Sequence, residues 1–258
     1  MLTHWEGEPV RVWADLWGVP LVEAHEVIGS TNDRIRELGD QGCSPRSVVI
    51  AEEQTQGRGR GSAIWHSPPG SGLWISTLLT GPPESPPYLP LVVGLAVARA
   101  IEHVVDGADA RIEWPNDVLL GGHKVAGVLC ESPGYGVVVG LGVNVRTPPG
   151  GFPSELSQRA GSLEGESGLS VSRSALAGAL LRELGWLTSA LAGDGADEHV
   201  PAGIHDALQA RDALLGRTVV SEQAGPGTAR GIDSRGGLIL ERPDGSRVSV
   251  LAGSVTPA

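Results

Sequence analysis

The sequence predicts an α+β chain, with a mixed β-sheet flanked by helices and a small all-β barrel at the C-terminus. Three observations carry this. Short apolar runs of strand length, bounded by turn residues, recur between residues 20 and 145. Residues 88–105 instead repeat apolar side chains at helical spacing, with almost no polar face before Arg99. From Gly216 the character changes, and four short strand-like runs fall within 43 residues. The boundary so implied divides the chain into 1–214 and 215–258.

Taken in order, residues 20–29 read as a strand. Ser30, Thr31, Asn32 and Asp33 then open a helix through Leu38, because their side-chain oxygens accept the orphan N–H groups of a first turn. Residues 47–53 are β-rich. Residues 54–72 hold Gly57, Gly59, Gly61, Gly70 and Gly72 and read mostly as loop. A strand at 73–79 precedes the 88–105 helix. A meander follows, with strands at 111–114, 117–120, 125–131 and 136–145, and Gly121-Gly122 marks a tight hairpin turn. Residues 147–168 are a Pro/Gly/Ser-rich loop, and helices are expected at 170–191 and 204–215. The C-terminal strands fall at 217–221, 228–233, 237–241 and 247–251. Trp5, Trp13 and Trp17 suggest that the first 20 residues pack onto the domain.

Composition excludes several classes of function. Nineteen Lys+Arg against 30 Asp+Glu give a net charge of −11, which argues against non-specific binding to nucleic acid or anionic membrane. No unbroken apolar stretch approaches membrane-spanning length, and the acidic N-terminus is unlike a signal peptide. Two cysteines, Cys43 and Cys130, make no disulfide scaffold and fit a reducing, cytoplasmic compartment. The seven histidines show no metal spacing, so no protein-bound structural metal is expected. No G-x-S-x-G elbow is present, and Cys130, in an apolar strand, reads as a core thiol.

Two segments offer chemistry. In Gln56-Gly57-Arg58-Gly59-Arg60-Gly61 the glycines let backbone N–H groups approach an anion, and two arginines add positive charge. An Arg-Gly surface loop is the plainer reading of the same composition. The segment lacks the Walker pattern, and Gly140-Leu141-Gly142 lacks the third glycine of a dinucleotide site. The second segment is Trp114-Pro115-Asn116-Asp117 followed by Gly121-Gly122-His123-Lys124. A hairpin there returns Lys124 beside Asn116 and Asp117, although these residue types also form turns on their own account. Lys124 is the single lysine among 19 basic residues, and an ammonium is a compact point charge where a guanidinium is a planar fork. Trp65 and Trp74 are candidates for an apolar wall or for ordinary core.

Several motifs occur together and in one order. They are Gly29-Ser30-Thr31-Asn32, then Glu53-Gln54-Thr55 running into the Gly-Arg loop, Trp65, Trp114-Pro115-Asn116-Asp117, Lys124-Val125-Ala126-Gly127, and Gly140 to Asn144. Over residues 21–215 this set resembles the biotin protein ligases, the biotin–[acetyl-CoA-carboxylase] ligases of bacteria. The C-terminal segment resembles that family's Src-homology-like barrel. The resemblance implies an ATP-dependent ligase. It would activate biotin as biotinyl-5′-AMP with Mg2+, release pyrophosphate, and pass the acyl group to one lysine of a biotin carboxyl carrier protein. Carried over by motif, Ser30, Thr31, Asn32, Gln54, Arg58, Gly59, Arg60, Lys124 and Gly127 would bind biotin. Arg58, Arg60, Asn116, Asp117, Lys124 and Asn144 would bind ATP, with Mg2+ near Asp117. Lys124, Arg58 and Asp117 would be catalytic. The resemblance allows a homodimer. The Ser-Thr-Asn motif begins at residue 30, too early to follow the DNA-binding domain of repressor relatives, so nucleic acid is not an expected partner. The loop departs from the family in being neutral from Gly61 to Ile64. Alternative readings are a lipoate ligase or lipoyl transferase of the same fold, or a biotin sensor without turnover.

Overall fold

The computed structural model of the chain describes residues 1–61, 63–80, 85–191 and 199–257. Ser62, part of the neutral loop stretch, lies outside them. The chain opens with β1 (His4–Trp5), β2 (Glu8–Pro9), α1 (Val10–Trp17), β3 (Val22–Ile28), α2 (Thr31–Asp40), β4 (Val48–Gln54) and β5 (Gly72–Leu79). It continues with α3 (Leu89–Val104), β6 (Arg111–Glu113), β7 (Asp117–Leu120), β8 (His123–Glu131) and β9 (Val137–Asn144). Then come α4 (Leu163–Ser167), α5 (Arg173–Leu191), α6 (Ala202–Arg211), β10 (Thr218–Ser221), β11 (Gly225–Ile232), β12 (Leu238–Glu241), β13 (Arg247–Val250) and β14 (Val255–Pro257).

Seven strands form one sheet in the order β3-β4-β5-β9-β8-β7-β6. Only β3 and β4 run parallel, so the sheet is mixed, as the sequence predicts. Period-two alternation divides its side chains between two faces. Val48, Ile50, Leu73, Ile75, Val139 and Leu141 face the main core with α3 and α5. Val49, Leu78 and Val138 face the other way and are covered by Ile35 and Leu38 of α2. Each such fully buried aliphatic side chain contributes about 1.5–3 kcal/mol. α3 is apolar nearly all round because neighbours cover most of it.

The structure adds to or revises the sequence reading in four places. The first 20 residues form a hairpin and a helix. Trp13 and Trp17 stack with centroids 5.3 Å apart, and Trp13 Nε1 donates to the Trp5 carbonyl at 2.8 Å. A one-turn helix, α4, interrupts the 147–168 loop, capped by Ser162 Oγ, which accepts from Gly165 N. The helix expected at 204–215 ends at Arg211, where Asp212 leaves helical geometry and its backbone joins the edge of β6. The C-terminal unit has five antiparallel strands, not four, in the order β13-β12-β11-β10-β14. The fifth, β14, follows Gly253 and is too short to give a period. The unit is all-β as the sequence predicts, with β13 and β14 at the ends of the strand order. Its side chains Val219, Ala229, Ile232, Leu238 and Leu240 continue the main core. Trp114 Nε1 donates to the Gly236 carbonyl at 3.0 Å and ties the two sheets together. Among the described residues, no helix is long and apolar enough to cross a membrane.

Candidate active site

Beyond α2 the second face of the large sheet is floored by glycines, and that absence of side chains makes a site. A Cβ on Gly140 would collide with the Asn32 amide, and one on Gly142 with the Trp65 indole. A Cβ on Gly127 would come within 2.8 Å of the same indole. Trp65 therefore lies flat on β8 and β9, edge-on to Trp74 at 6.4 Å. Above it is a cavity of about 390 Å³, a size suited to a small ligand. All twelve residues singled out from the sequence line it: Ser30, Thr31, Asn32, Gln54, Arg58, Gly59, Arg60, Asn116, Asp117, Lys124, Gly127 and Asn144.

One end is a neutral hydrogen-bonding cluster. Ser30 occupies the N-cap position of α2, but its side chain does not cap. Gln54 Oε1 instead accepts from Thr31 N at 2.9 Å and from Thr31 Oγ1 at 3.1 Å, so the helix start is pinned to the end of β4. Gln54 Nε2 donates to Ser67 Oγ at 3.0 Å. Ser76 Oγ lies 2.7 Å from Thr31 Oγ1 and 2.6 Å from Asn32 Oδ1. Asn32 Oδ1 is an acceptor only, so Ser76 gives it its one proton. Asn32 Nδ2 donates to Glu131 Oε2 at 2.6 Å. Ser76 was not singled out from the sequence; it reads there as an ordinary polar residue in an alternating strand.

The Gly-Arg loop folds back on itself. Gly59 N donates to the Ala63 carbonyl and Trp65 N to the Gly57 carbonyl, at 2.8 and 2.9 Å. Its arginines face different partners. Arg58 grips Asp33 with both terminal nitrogens, at 2.6 and 2.8 Å, and lies 3.4 Å from Glu131. These donated bonds hold the Asp33 carboxyl below the usual carboxylate range and raise Arg58 further. Arg60 reaches the Gly253 carbonyl at 3.1 Å and Asn116 Oδ1 at 3.5 Å, spanning the two sheets. Asn116 Nδ2 donates to the Val128 carbonyl at 2.8 Å.

The charged end depends on a bulge. The turn at Gly121-Gly122 has φ of +59° and +87°, the left-handed pair of a two-residue hairpin. Leu119 then pairs with Lys124 but Val118 pairs with Ala126, leaving Val125 as an extra residue on β8. Without it, Lys124 and Gly127, three apart, would point to opposite faces. With it, Lys124, Gly127 and Asp117 share the cavity face. Lys124 Nζ lies 2.7 Å from Asp117 Oδ2 and 5.2 Å from the centre of the Trp65 ring. Asp117 Oδ1 is buried with no hydrogen-bond partner.

Glu113, before the Trp-Pro-Asn-Asp motif, also lines the cavity, and burial pushes its carboxyl above the usual range against the pull of Arg159. Phe152, Leu156, Arg159 and Ala160 close one side, and Ser254, Val255 and Thr256 another. The sequence reading passed over these as loop and terminus. The one phenylalanine of the chain, set in a Pro/Gly-rich loop, was the available signal. Asn144, at the end of β9, donates to the Gly161 carbonyl at 3.0 Å and so fixes that loop to the sheet. Among the described residues no cluster of three His, Cys, Asp or Glu side chains is arranged to hold a metal. Burial pushes the Cys130 thiol up to about 12, which removes it as a nucleophile at neutral pH.

Comparison with known proteins points one way. The Biotin/lipoate A/B protein ligase family matches residues 24–144, and the Biotin protein ligase C terminal domain matches residues 221–256. The bifunctional ligase/repressor BirA of Bacillus subtilis is 37% identical over 156 residues, 58% of this chain and 48% of that protein. The chain thus spans about half of that relative. The biotin–[acetyl-CoA-carboxylase] ligase of Paracoccus denitrificans is 35% identical over 233 residues, 85% of this chain and 93% of that protein. The structure of a biotin protein ligase from Aquifex aeolicus in complex with biotin and ATP superposes with a TM-score of 0.81 at 27% identity. That superposition covers 93% of this chain and 100% of the other.

Proposed function

The chain belongs to the biotin protein ligase family, and from that premise we propose that it activates biotin with ATP and transfers it to a lysine of a biotin carboxyl carrier protein. The observation that carries this is the pairing, in one cavity, of a flat Trp65 floor and a neutral Ser30–Thr31–Gln54 end with a cationic end around Lys124. Biotin has that polarity: a hydrogen-bonding ring head, an apolar body and an anionic tail.

In the first step a carboxylate oxygen of biotin attacks the α-phosphorus of ATP, and pyrophosphate leaves with the electron pair of the broken P–O bond. Two anions must meet, so catalysis consists of positioning and positive charge. In our assignment Lys124 bridges the biotin carboxylate and the α-phosphate. Arg60 approaches from the loop. The Arg58 side chain, held by Asp33, fixes the Gly-Arg loop at the edge of the cavity. In the second step the acceptor amine attacks the acyl carbon, AMP departs, and an amide forms. Asp117 orients that amine or takes its proton. Mg2+ prefers one or two carboxylates plus phosphate oxygens. The unpartnered Asp117 Oδ1 fits such a role, and the ion would there neutralise phosphate charge. The Trp65 indole, packed flat on the glycines of β8 and β9, gives the mixed anhydride an apolar floor that keeps water from that side.

The same reading divides the chain into a catalytic unit, 1–214, and a C-terminal unit, 215–258. It takes the cytoplasm as compartment, allows a homodimer, and leaves out nucleic acid, as the net charge of −11 supports. The test is ATP–pyrophosphate exchange with biotin, lipoate and octanoate side by side, followed by transfer to a carrier domain. Exchange with biotin alone is expected. Exchange with lipoate would move the chain to the lipoate branch of the fold. Biotin binding without exchange would make it a sensor.

A further inference from the structure

Four cationic side chains line the cavity among the described residues: Arg58, Arg60, Lys124 and Arg159. The first three are committed within the site. Arg58 is held in a two-pronged grip by Asp33, Lys124 is paired with Asp117, and Arg60 reaches across to Gly253. Arg159 differs. Its guanidinium meets Glu113 through Nη2 alone, at 2.9 Å, and the side chain stays 58% exposed. Its main chain, by contrast, is fixed. Lys124 N donates to the Arg159 carbonyl at 2.7 Å, Gly161 N donates to the Lys124 carbonyl at 2.9 Å, and Arg159 N donates to the Leu156 carbonyl at 2.9 Å. Arg159 therefore rides on β8 beside Lys124, with one edge of its fork braced by a carboxylate and the rest open to the cavity.

The chemistry leaves a place for such a group. Adenylation concentrates negative charge on the departing pyrophosphate as the P–O bond breaks. Lys124 and the biotin carboxylate occupy the α-phosphate end, and a single ammonium does not serve the whole polyphosphate. A planar guanidinium matches phosphate oxygens two at a time, and a carboxylate behind it fixes its orientation before the ligand arrives. We propose that Arg159, oriented by Glu113, binds the departing pyrophosphate of ATP. The proposal rests on the adenylation reading above. It makes Arg159 a binding residue of the first step only, and Glu113 its positioning residue.

The two half-reactions separate this from a structural role, because pyrophosphate takes part in only one of them. The full chain is compared as wild type, Arg159→Gln, Arg159→Lys and Glu113→Gln. ATP formation from biotinyl-5′-AMP and added pyrophosphate is measured in one arm, and biotin transfer from the same adenylate to a carrier domain in the other. For Arg159→Gln we expect the KM for pyrophosphate to rise about tenfold or more, as for a lost charge-assisted bond. The transfer arm should change by less than about twofold. Arg159→Lys should fall between wild type and Arg159→Gln, and Glu113→Gln should raise the pyrophosphate KM less than Arg159→Gln does. An unchanged pyrophosphate KM in Arg159→Gln overturns the assignment, as does an equal loss in both arms, which would mark a loop-stabilising role. A wild-type chain that performs neither arm overturns the adenylation reading itself, and the assignment with it.

Discussion

Replacing Lys124 by Met removes the one lysine ammonium of the chain and keeps most of its apolar stem. In the structure Nζ sits 2.7 Å from Asp117 Oδ2, with side-chain exposures of 28% and 17% for the two residues. The pair lies between the exposed case, worth about 0–1 kcal/mol, and the buried case, where loss of one partner costs about 3–5 kcal/mol. Asp117 would lose its charged partner while its other oxygen is already unpartnered. A destabilisation of about 2 kcal/mol follows, or a fall in Tm of about 4–8 °C for a chain of this size. Catalysis suffers more. A cation at the site of charge build-up contributes about 10²–10³ in rate, so biotin-dependent ATP–pyrophosphate exchange should drop at least about 100-fold. The assay is run well below the variant's Tm, where unfolding accounts for little of the loss. Exchange within about threefold of wild type in a folded variant would refute the assigned role of Lys124.

Gly142→Ala should drive Trp65 off the sheet, because its Cβ collides with the indole, and overpacking of this kind costs about 1–3 kcal/mol. Biotin affinity by calorimetry should fall by about tenfold or more, while Gly203→Ala, whose Cβ meets nothing within 4 Å, leaves affinity unchanged. Equal affinities in the two variants would sink the floor argument. Arg173 is nearly buried and bonds Glu6 and Glu52, tying the N-terminal hairpin to β4. Arg173→Met strands both carboxylates, and thermal melting should show a loss of about 3–5 kcal/mol; an unchanged melt would refute the tie. Asp33 tests the loop anchor by pH. Its carboxyl pKa is depressed by Arg58, so the contact stabilises the fold above the ordinary aspartate value of about 3.9 and is lost as pH falls through the lower folded value. A carbon NMR titration should place Asp33 below 3.9 in the wild type and return it toward 3.9 in Arg58→Ala. No difference between the two would remove the anchor.

What the sequence determined by itself was local or motif-borne. The long helices, the central strands and the two-glycine turn follow from apolar period and turn chemistry acting over a few residues. The site residues were legible because they cluster in short segments whose order is distinctive, and all twelve meet in one cavity. The tertiary structure decided what depends on distant partners. The bulge at Val125 turns Lys124 onto the face of Gly127 and Asp117, and no local propensity announces it, since it arises from how β7 and β8 register. The grip of Asp33 on Arg58 joins residues 25 apart and sets how that arginine stands at the cavity. Ser76 meets Thr31 and Asn32 behind the cavity wall, and Glu113, Arg159 and the strand after Gly253 reach the cavity, only through the sheet pairings and the loop that packs over them. Sequence pattern reports which residues are apolar and which turns are tight; which polar side chains meet is settled by register, and register is a property of the assembled sheet.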